Sequence, residues 1–284
     1  MTAALSVRGL TKVYGRAGGS LRRHGPALTA VDAVDLDLEA GRTLGLVGES
    51  GAGKTTLGRL ILRLIEPDAG SISLLGTDIA ALSRRELRRM RAAATMIFQD
   101  PYTSLDPRML IKDSVAEPLL VSGGHTRARR REKVSDTLRR VGLRETHMER
   151  FPHEMSGGQL QRVAIARALI TDPSFIVCDE PVAALDVSTR AQVINLLNDL
   201  REERGISYLF ISHDLRLVRL IADEVAVMRR GTLVEKGEAA RVFDHPEHEY
   251  TRELLAAIPG RSPRSRRFGG TPRSPGLDPI SGVG

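Results

Sequence analysis

Residues ALSVRGL (4–10) alternate apolar and polar side chains, the period of a strand with one buried face. LTAVDAVDLDLEA (28–40) alternates more clearly until Gly41 breaks it, so the chain is expected to open with an antiparallel, hairpin-like pair. RAGGSLRRHGP (16–26), between them, has the glycine, proline and charge of an exposed loop. TLGLVGES (43–50) is a short buried-strand run that enters glycines; from Lys54 to Ile65 the apolar spacing becomes helical, and GSISLLG (70–76) returns to strand. Between about Ser83 and Ile170 the segments SRRELRRMRA, IKDSVAEPLLV, REKVSDTLRRVGL and GGQLQRVAIARALI read as helices, interrupted by the apolar run TMIFQD (95–100). SFIVCDE (174–180) then predicts a strand, STRAQVINLLNDLREER (188–204) a helix and ISYLFISHD (206–214) a strand. LRLVRLIA predicts a further helix, and DEVAVMRRGTLVEKG two strands turning at Gly231. Buried strands alternating with helices predict an α/β fold with a mainly parallel sheet covered on both faces. To this are added an antiparallel β subdomain at the N-terminus and an inserted helical subdomain over about 83–170. No segment repeats another.

Composition narrows the class. A chain of 284 residues that is 41% hydrophobic can bury a sizeable core. No run approaches the roughly 20 apolar residues of a membrane span, and MTAALSVRGLTKVYG lacks the order of a secretory leader, so a soluble cytoplasmic protein is expected. The single cysteine, Cys178, excludes a disulfide within the chain and an all-cysteine metal cage. The net charge of +7 does not single out nucleic acid as a partner. Lysines are confined to Lys12, Lys54, Lys112, Lys133 and Lys236, the arginines are scattered through every segment, and aromatics are 4% without tryptophan, so stacking platforms are scarce. RSPRSRRFGGTPRSPGLDPISGVG (261–284) is rich in proline, glycine, serine and arginine, and is expected to be a disordered basic tail.

GESGAGKT (48–55) fits G-x-x-x-x-G-K-[ST] in the context the pattern requires, a buried strand before it and a helix after it. In such a loop the backbone of Gly48, Glu49, Ser50, Gly51, Ala52 and Gly53 wraps a phosphate chain, and the helix start adds partial positive charge. Lys54 would reach the β- and γ-phosphates, the Thr55 hydroxyl would ligate Mg²⁺, and Thr56 continues the site. The same residues could form a strand–helix turn that binds nothing, but strand, pattern and helix together favour the phosphate site.

Such a loop needs an acid on a neighbouring strand. SFIVCDE supplies Asp179 at a strand's carboxyl end, where ligands of open α/β sheets bind, and Asp179 reads as the Mg²⁺ partner. Glu180 is placed to orient an attacking water and act as general base. Against this, Asp-Glu after a strand can simply begin a solvated loop. His213, ending SYLFIS, is either a structural histidine or, at this sheet edge, a γ-phosphate contact. Gln99 ends a strand before PYTSLDP and says nothing alone.

HEMSGGQLQR (153–162) offers a second phosphate reader: Ser156 suits a helix N-cap, Gly157 and Gly158 permit close backbone approach, and Gln159 opens the helix. It lies in the helical insertion rather than on the sheet, so it is ill placed for the nucleotide on its own loop. A reader that does not serve its own chain suggests one that serves a partner's. Two chains head to tail would enclose two ATP molecules, and a two-fold arrangement closes on itself.

The set GESGAGKT, Gln99, SGGQ, IVCDE, Ala184-Leu185-Asp186 and His213, in that order and spacing, resembles the ATP-binding subunit of an ABC transporter over residues 5 to about 258. The resemblance implies a P-loop NTPase core across residues 1–260, with ATP and Mg²⁺ as cofactors. It implies that Tyr14 stacks on adenine, Gln99 senses the γ-phosphate and Mg²⁺, and Asp186 links the two sites of a dimer. The segment after Gln99 would meet a short helix of a transmembrane permease subunit, placing the chain at the cytoplasmic face of the membrane.

FQDPYTSLDPRM, FPHEMSGGQLQR, CDEPVAALDVSTRAQVINLL and HPEHEYTRELLAAIPG are similar to the oligopeptide/dipeptide importer branch, whose C-terminal extension would occupy about 237–260. The loop after Tyr14 resembles the second of two unlike ATPases that this branch often pairs, so the second ATPase subunit is either a paralogue or an identical copy. A solute-binding protein would be an indirect partner. Ala183 stands where serine is more usual, Thr55-Thr56 where serine-threonine is, and the tail lacks the cysteines of some members, which argues against an iron–sulfur cluster. Close relatives handle nickel, opines or glutathione. One rival reading is an ATPase attached to the carbon–phosphorus lyase complex; another is a ribosome- or nucleic-acid-associated ABC protein, which usually has two ATPase domains or long coiled-coil insertions.

Overall fold

The computed structural model describes residues 3–15 and 27–258; the expectations for the loop 16–26 and the tail 261–284 lie outside the described residues. Strands β1 (Ala3–Tyr14) and β2 (Leu28–Glu39) pair antiparallel, as their alternation predicts. β3 (Thr43–Val47), buried at every position, leads into helix α1 (Lys54–Ile61). α1 stops four residues short of Ile65 because the chain turns at Arg63, whose φ is +46° and whose guanidinium donates to the carbonyls of Ile79 and Leu82. β4 (Ala69–Leu74) and β5 (Thr77–Asp78) follow and join β1 and β2 in a four-stranded antiparallel sheet ordered β2-β1-β4-β5.

α2 (Arg84–Ala93) is opened by a capping box between Ser83 and Glu86 and runs directly into β6 (Ala94–Ile97). β6 pairs in parallel with a strand of the main sheet, so the stretch 83–170 contains one edge strand of the core as well as helices. The helices beyond it are α3 (Pro101–Ser104), α4 (Ile111–Ser122), α5 (Arg127–Arg140) and α6 (Gly157–Leu169). The chain then re-enters the sheet as β7 (Phe175–Asp179), crosses by α7 (Val187–Arg204) to β8 (Ser207–Ser212), and passes α8 (Leu215–Ile221) to the hairpin β9 (Glu224–Arg229) and β10 (Thr232–Glu238). α9 (Ala239–Asp244) and α10 (Glu249–Ala256) close the described chain.

The six-stranded sheet is ordered β10-β9-β3-β8-β7-β6, parallel throughout except for β10 against β9. Its central strands carry apolar side chains on both faces because two different cores cover them. Leu44, Leu46, Phe175, Val177, Leu209 and Ile211 face α1 and the antiparallel sheet. The residues between them on β7 and β8, Ile176, Cys178, Tyr208 and Phe210, join the core with α6, α7 and α8. This parallel packing brings the carboxyl ends of β3, β7 and β8 to one edge, where Gly48, Glu180 and His213 begin their loops.

Candidate nucleotide site at the sheet edge

Gly48 leaves β3 with φ +151°, and a Cβ there would stand 2.1 Å from the Met228 carbonyl oxygen, so only glycine lets the loop pass this close to β9. The loop returns as α1, whose first residue, Lys54, is 5% exposed. Lys54 Nζ donates to the carbonyls of Gly48 (2.7 Å) and Glu49 (2.8 Å), spanning the loop's concave side. Burial lowers the lysine's pKa, and the charges of Glu180, Asp179 and Glu49 oppose that shift.

Thr55 Oγ1 donates to Asp179 Oδ1 at 2.9 Å, joining the start of α1 to the end of β7. Asp179 is 2% exposed, and burial raises its carboxyl pKa against the lowering pull of that hydrogen bond. A hydroxyl and a carboxylate side by side are the hard oxygen donors that suit Mg²⁺ when phosphate and water complete its shell.

Glu180 follows with φ +47°, a left-handed conformation that costs a side-chain-bearing residue about 1 kcal/mol. Its N–H donates to the Ile211 carbonyl (3.0 Å), which pins the strained turn against β8. Its carboxylate is held from two sides: Gln99 Nε2 donates to Oε2 at 3.0 Å, and His213 Nδ1 lies 3.0 Å from Oε1. Three loops thus converge on one carboxylate at the mouth of the cleft.

The cleft, about 870 Å³, brings together ten of the residues singled out from the sequence: Tyr14, Ser50, Gly51, Gly53, Lys54, Thr55, Thr56, Gln99, Glu180 and His213. Tyr14 is exposed at the end of β1, with Lys12 Nζ 5.7 Å from its ring centroid. Gly48, Glu49 and Ala52 belong to the same loop but do not line the cleft, and Asp179 sits behind Thr55. Leu28, Thr29 and Ala30 on β2, and Arg230 and Gly231 in the β9–β10 turn, also line it, although no motif in the sequence singles them out. The turn is latched to the phosphate loop by Gly231 N–H donating to Ala52 O (2.9 Å), a contact between segments that carry no shared pattern.

Ser156, Gly157, Gly158, Gln159 and Asp186 are not among the lining residues. Ser156 is the N-cap of α6, accepting from Gln159 N–H (3.3 Å) while Ser156 N–H donates to Gln159 Oε1 (3.0 Å). Asp186 caps α7, accepting from Thr189 N–H (3.0 Å) and from Thr189 Oγ1 (2.7 Å), and the Thr189 bonds hold its carboxyl below the usual range. The two glycines differ. A Cβ on Gly158 would meet Thr189 Cγ2 at 2.8 Å, so glycine there lets α6 and α7 pack; a Cβ on Gly157 would meet nothing within 4 Å. Among the described residues nothing requires glycine at 157.

Fold and cleft together define a phosphate-loop nucleotide-binding protein. Residues 31–183 match the family model described as ABC transporter. The chain is 50% identical over 269 residues to the oligopeptide transport ATP-binding protein OppD of Mycobacterium tuberculosis, covering 93% of this chain and 43% of that protein. It is 45% identical over 263 residues to the di/tripeptide transport ATP-binding protein DppF of Pseudomonas aeruginosa, with 93% and 81% covered. It thus spans less than half the length of the OppD relatives it matches. Among solved structures, a dimeric post-hydrolysis ATP-binding cassette with ADP and phosphate bound superposes with a TM-score of 0.74 at 28% identity, covering 83% of this chain and 98% of that one. The chain belongs to the ABC transporter family of ATP-binding proteins. This bears out the resemblance and the fold class read from the sequence. Among the described residues no helix is long and apolar enough to cross a membrane.

Proposed function

We propose that this chain binds and hydrolyses ATP to power the import of peptides, acting in head-to-tail pairs beneath transmembrane permease subunits. The observation that carries the hydrolytic part is the Glu180 carboxylate, oriented by Gln99 and His213 at the mouth of a cleft that contains Lys54 and Thr55. Lys54 neutralises charge on the β- and γ-phosphates, and Tyr14 offers its exposed ring to the adenine. Glu180 accepts a proton from the water that attacks the γ-phosphorus, ADP leaves with the bridging oxygen, and His213 and Gln99 hold the carboxylate in line. Thr55 and Asp179 are the residues that would hold Mg²⁺, with Gln99 at the rim; the ion supplies charge neutralisation on the phosphate oxygens.

Pairing is supported by Ser156–Gln159 standing outside their own chain's cleft, by the unexplained glycine at 157, and by the dimeric state of the matched cassette. In the pair, Ser156, Gly157, Gly158 and Gln159 meet the partner's γ-phosphate, and Asp186 lies between the two sites. Peptide as cargo rests on the names of the OppD and DppF relatives.

The test is the solution mass of Glu180→Gln with and without saturating Mg·ATP. Removing the proton acceptor while keeping the side chain's shape should preserve nucleotide binding and reduce turnover at least a hundredfold, in line with the usual size of general-base effects. ATP should then trap the variant as a dimer. Turnover at the wild-type rate would remove Glu180 from its role, and a monomer that binds ATP would mean that the partner is an unlike ATPase.

A further inference from the structure

Tyr250, on α10, is 2% exposed, although α10 lies some two hundred residues from the phosphate loop in sequence. Its hydroxyl accepts a hydrogen bond from Glu49 N–H at 3.2 Å. That N–H belongs to the Gly48–Glu49 peptide, whose carbonyl accepts from Lys54 Nζ at 2.7 Å. A trans peptide points its N–H and C=O to opposite sides. One planar unit is therefore held by Tyr250 on one side and carries the Lys54 ammonium on the other. Gly48 precedes it with φ +151°, in a region open mainly to glycine, so no Cβ on that side restrains the orientation of this peptide.

Tyr250 is itself held from two directions. The Arg229 guanidinium lies 4.6 Å from its ring centroid. At the start of α10, Glu235 on β10 accepts from the N–H groups of Glu247 (2.9 Å) and His248 (3.0 Å), and His248 Nδ1 accepts from Tyr250 N–H (3.1 Å). The chain of contacts runs from β10 through the beginning of α10 to the loop that grips phosphate.

We propose that Tyr250 is a positioning residue for nucleotide binding. Its hydroxyl fixes the Gly48–Glu49 peptide in the orientation that holds Lys54 Nζ over the loop, and so couples the C-terminal helix to phosphate affinity. The inference deepens the ATP-binding reading and rests on it. Loss of the hydroxyl leaves the Glu49 N–H without its partner and frees the peptide to turn, which releases one of the two carbonyls that orient Lys54.

The experiment is the dissociation constant of Mg·ATP for the full chain, by calorimetry, alongside the melting temperature without nucleotide. The variants are Tyr250→Phe, which keeps the ring and loses only the acceptor, and Arg229→Met, which removes the cation over the ring and leaves the hydroxyl. Tyr250→Phe should raise the dissociation constant about three- to tenfold, the usual worth of one hydrogen bond, with a melting temperature close to wild type. Arg229→Met should lower the melting temperature and change the dissociation constant less than twofold. Wild-type affinity in Tyr250→Phe overturns the proposal, as does an equal loss of affinity in both variants for equal loss of stability, since Tyr250 would then merely pack. A wild-type chain that fails to bind Mg·ATP overturns the underlying functional reading instead.

Discussion

Asp179 shows at the residue scale how site and stability oppose each other. Burial of the carboxylate, 2% exposed, outweighs the Thr55 hydroxyl bonded to it and the nearby charges of Arg59 and Lys54, so its desolvation carries a net cost. Asparagine has nearly the same shape and still accepts from Thr55 Oγ1. Asp179→Asn should therefore raise the melting temperature without nucleotide by about 2–6 °C, the shift that roughly 1–2 kcal/mol produces in a chain of this size. It should also weaken Mg²⁺-dependent nucleotide binding, and a fall in melting temperature would show that the charge is compensated in the fold. The neighbouring Glu180 was legible in the sequence as an acid after a strand, but its φ of +47° was not. The strained turn is pinned by the bond of its N–H to Ile211 on β8, a residue thirty-one positions away, which no local pattern encodes.

At the scale of the element, α10 depends on a carboxylate from another element. Burial pushes the Glu235 carboxyl pKa up, but the N–H of Glu247, the Thr251 hydroxyl and the N–H of His248 together outweigh that and hold it below its ordinary value. A carboxyl lowered in the folded state contributes its stability in full above the unfolded pKa, about 4.3, and loses it as pH falls through the folded value. Glu235→Gln should therefore melt below wild type at neutral pH, and the gap should close as the pH is lowered beneath about 4. A gap that stayed constant with pH would mean that shape rather than charge matters at this position.

The elements themselves were largely readable, for a reason particular to each. The strands SFIVCDE and ISYLFISHD are short apolar runs between turn signals, and α6 announces itself with the Ser156–Gln159 capping box. The end of α1 was misjudged because Leu62, Leu64 and Ile65 keep the helical spacing, while Arg63 finds its partners at Ile79 and Leu82, outside the helix. TMIFQD looked like an interruption among helices; its pairing with β7 makes it an edge of the core sheet.

On the scale of the whole molecule, the unresolved business of a single chain is Gly157. It is the first residue of α6, with open space where a Cβ would stand, so an aspartate there suits both the free volume and the positive end of the helix. Gly157→Asp should leave the chain folded and its own ATP affinity within about twofold of wild type, while bringing a negative charge against a partner's phosphates and suppressing turnover. Mixing it with Lys54→Ala, which keeps its own Ser156–Gln159 intact, should restore turnover through one composite site. If Gly157→Asp lost ATP binding as an isolated monomer, the cross-chain role would fail.

The sequence by itself determined the phosphate loop, the acid pair Asp179–Glu180 and the alternation that dictates a parallel sheet, because each depends on contiguous residues or on a period along the chain. It also determined the family, through the order and spacing of its motifs. Only the tertiary structure decided that Gln99 and His213 share one carboxylate, that β2 and the β9–β10 turn wall the cleft, and that Tyr250 holds the loop. The physical reason is that hydrogen bonds and packing across the sheet edge act through space, between segments up to two hundred residues apart, and leave no periodic trace in the residues that make them.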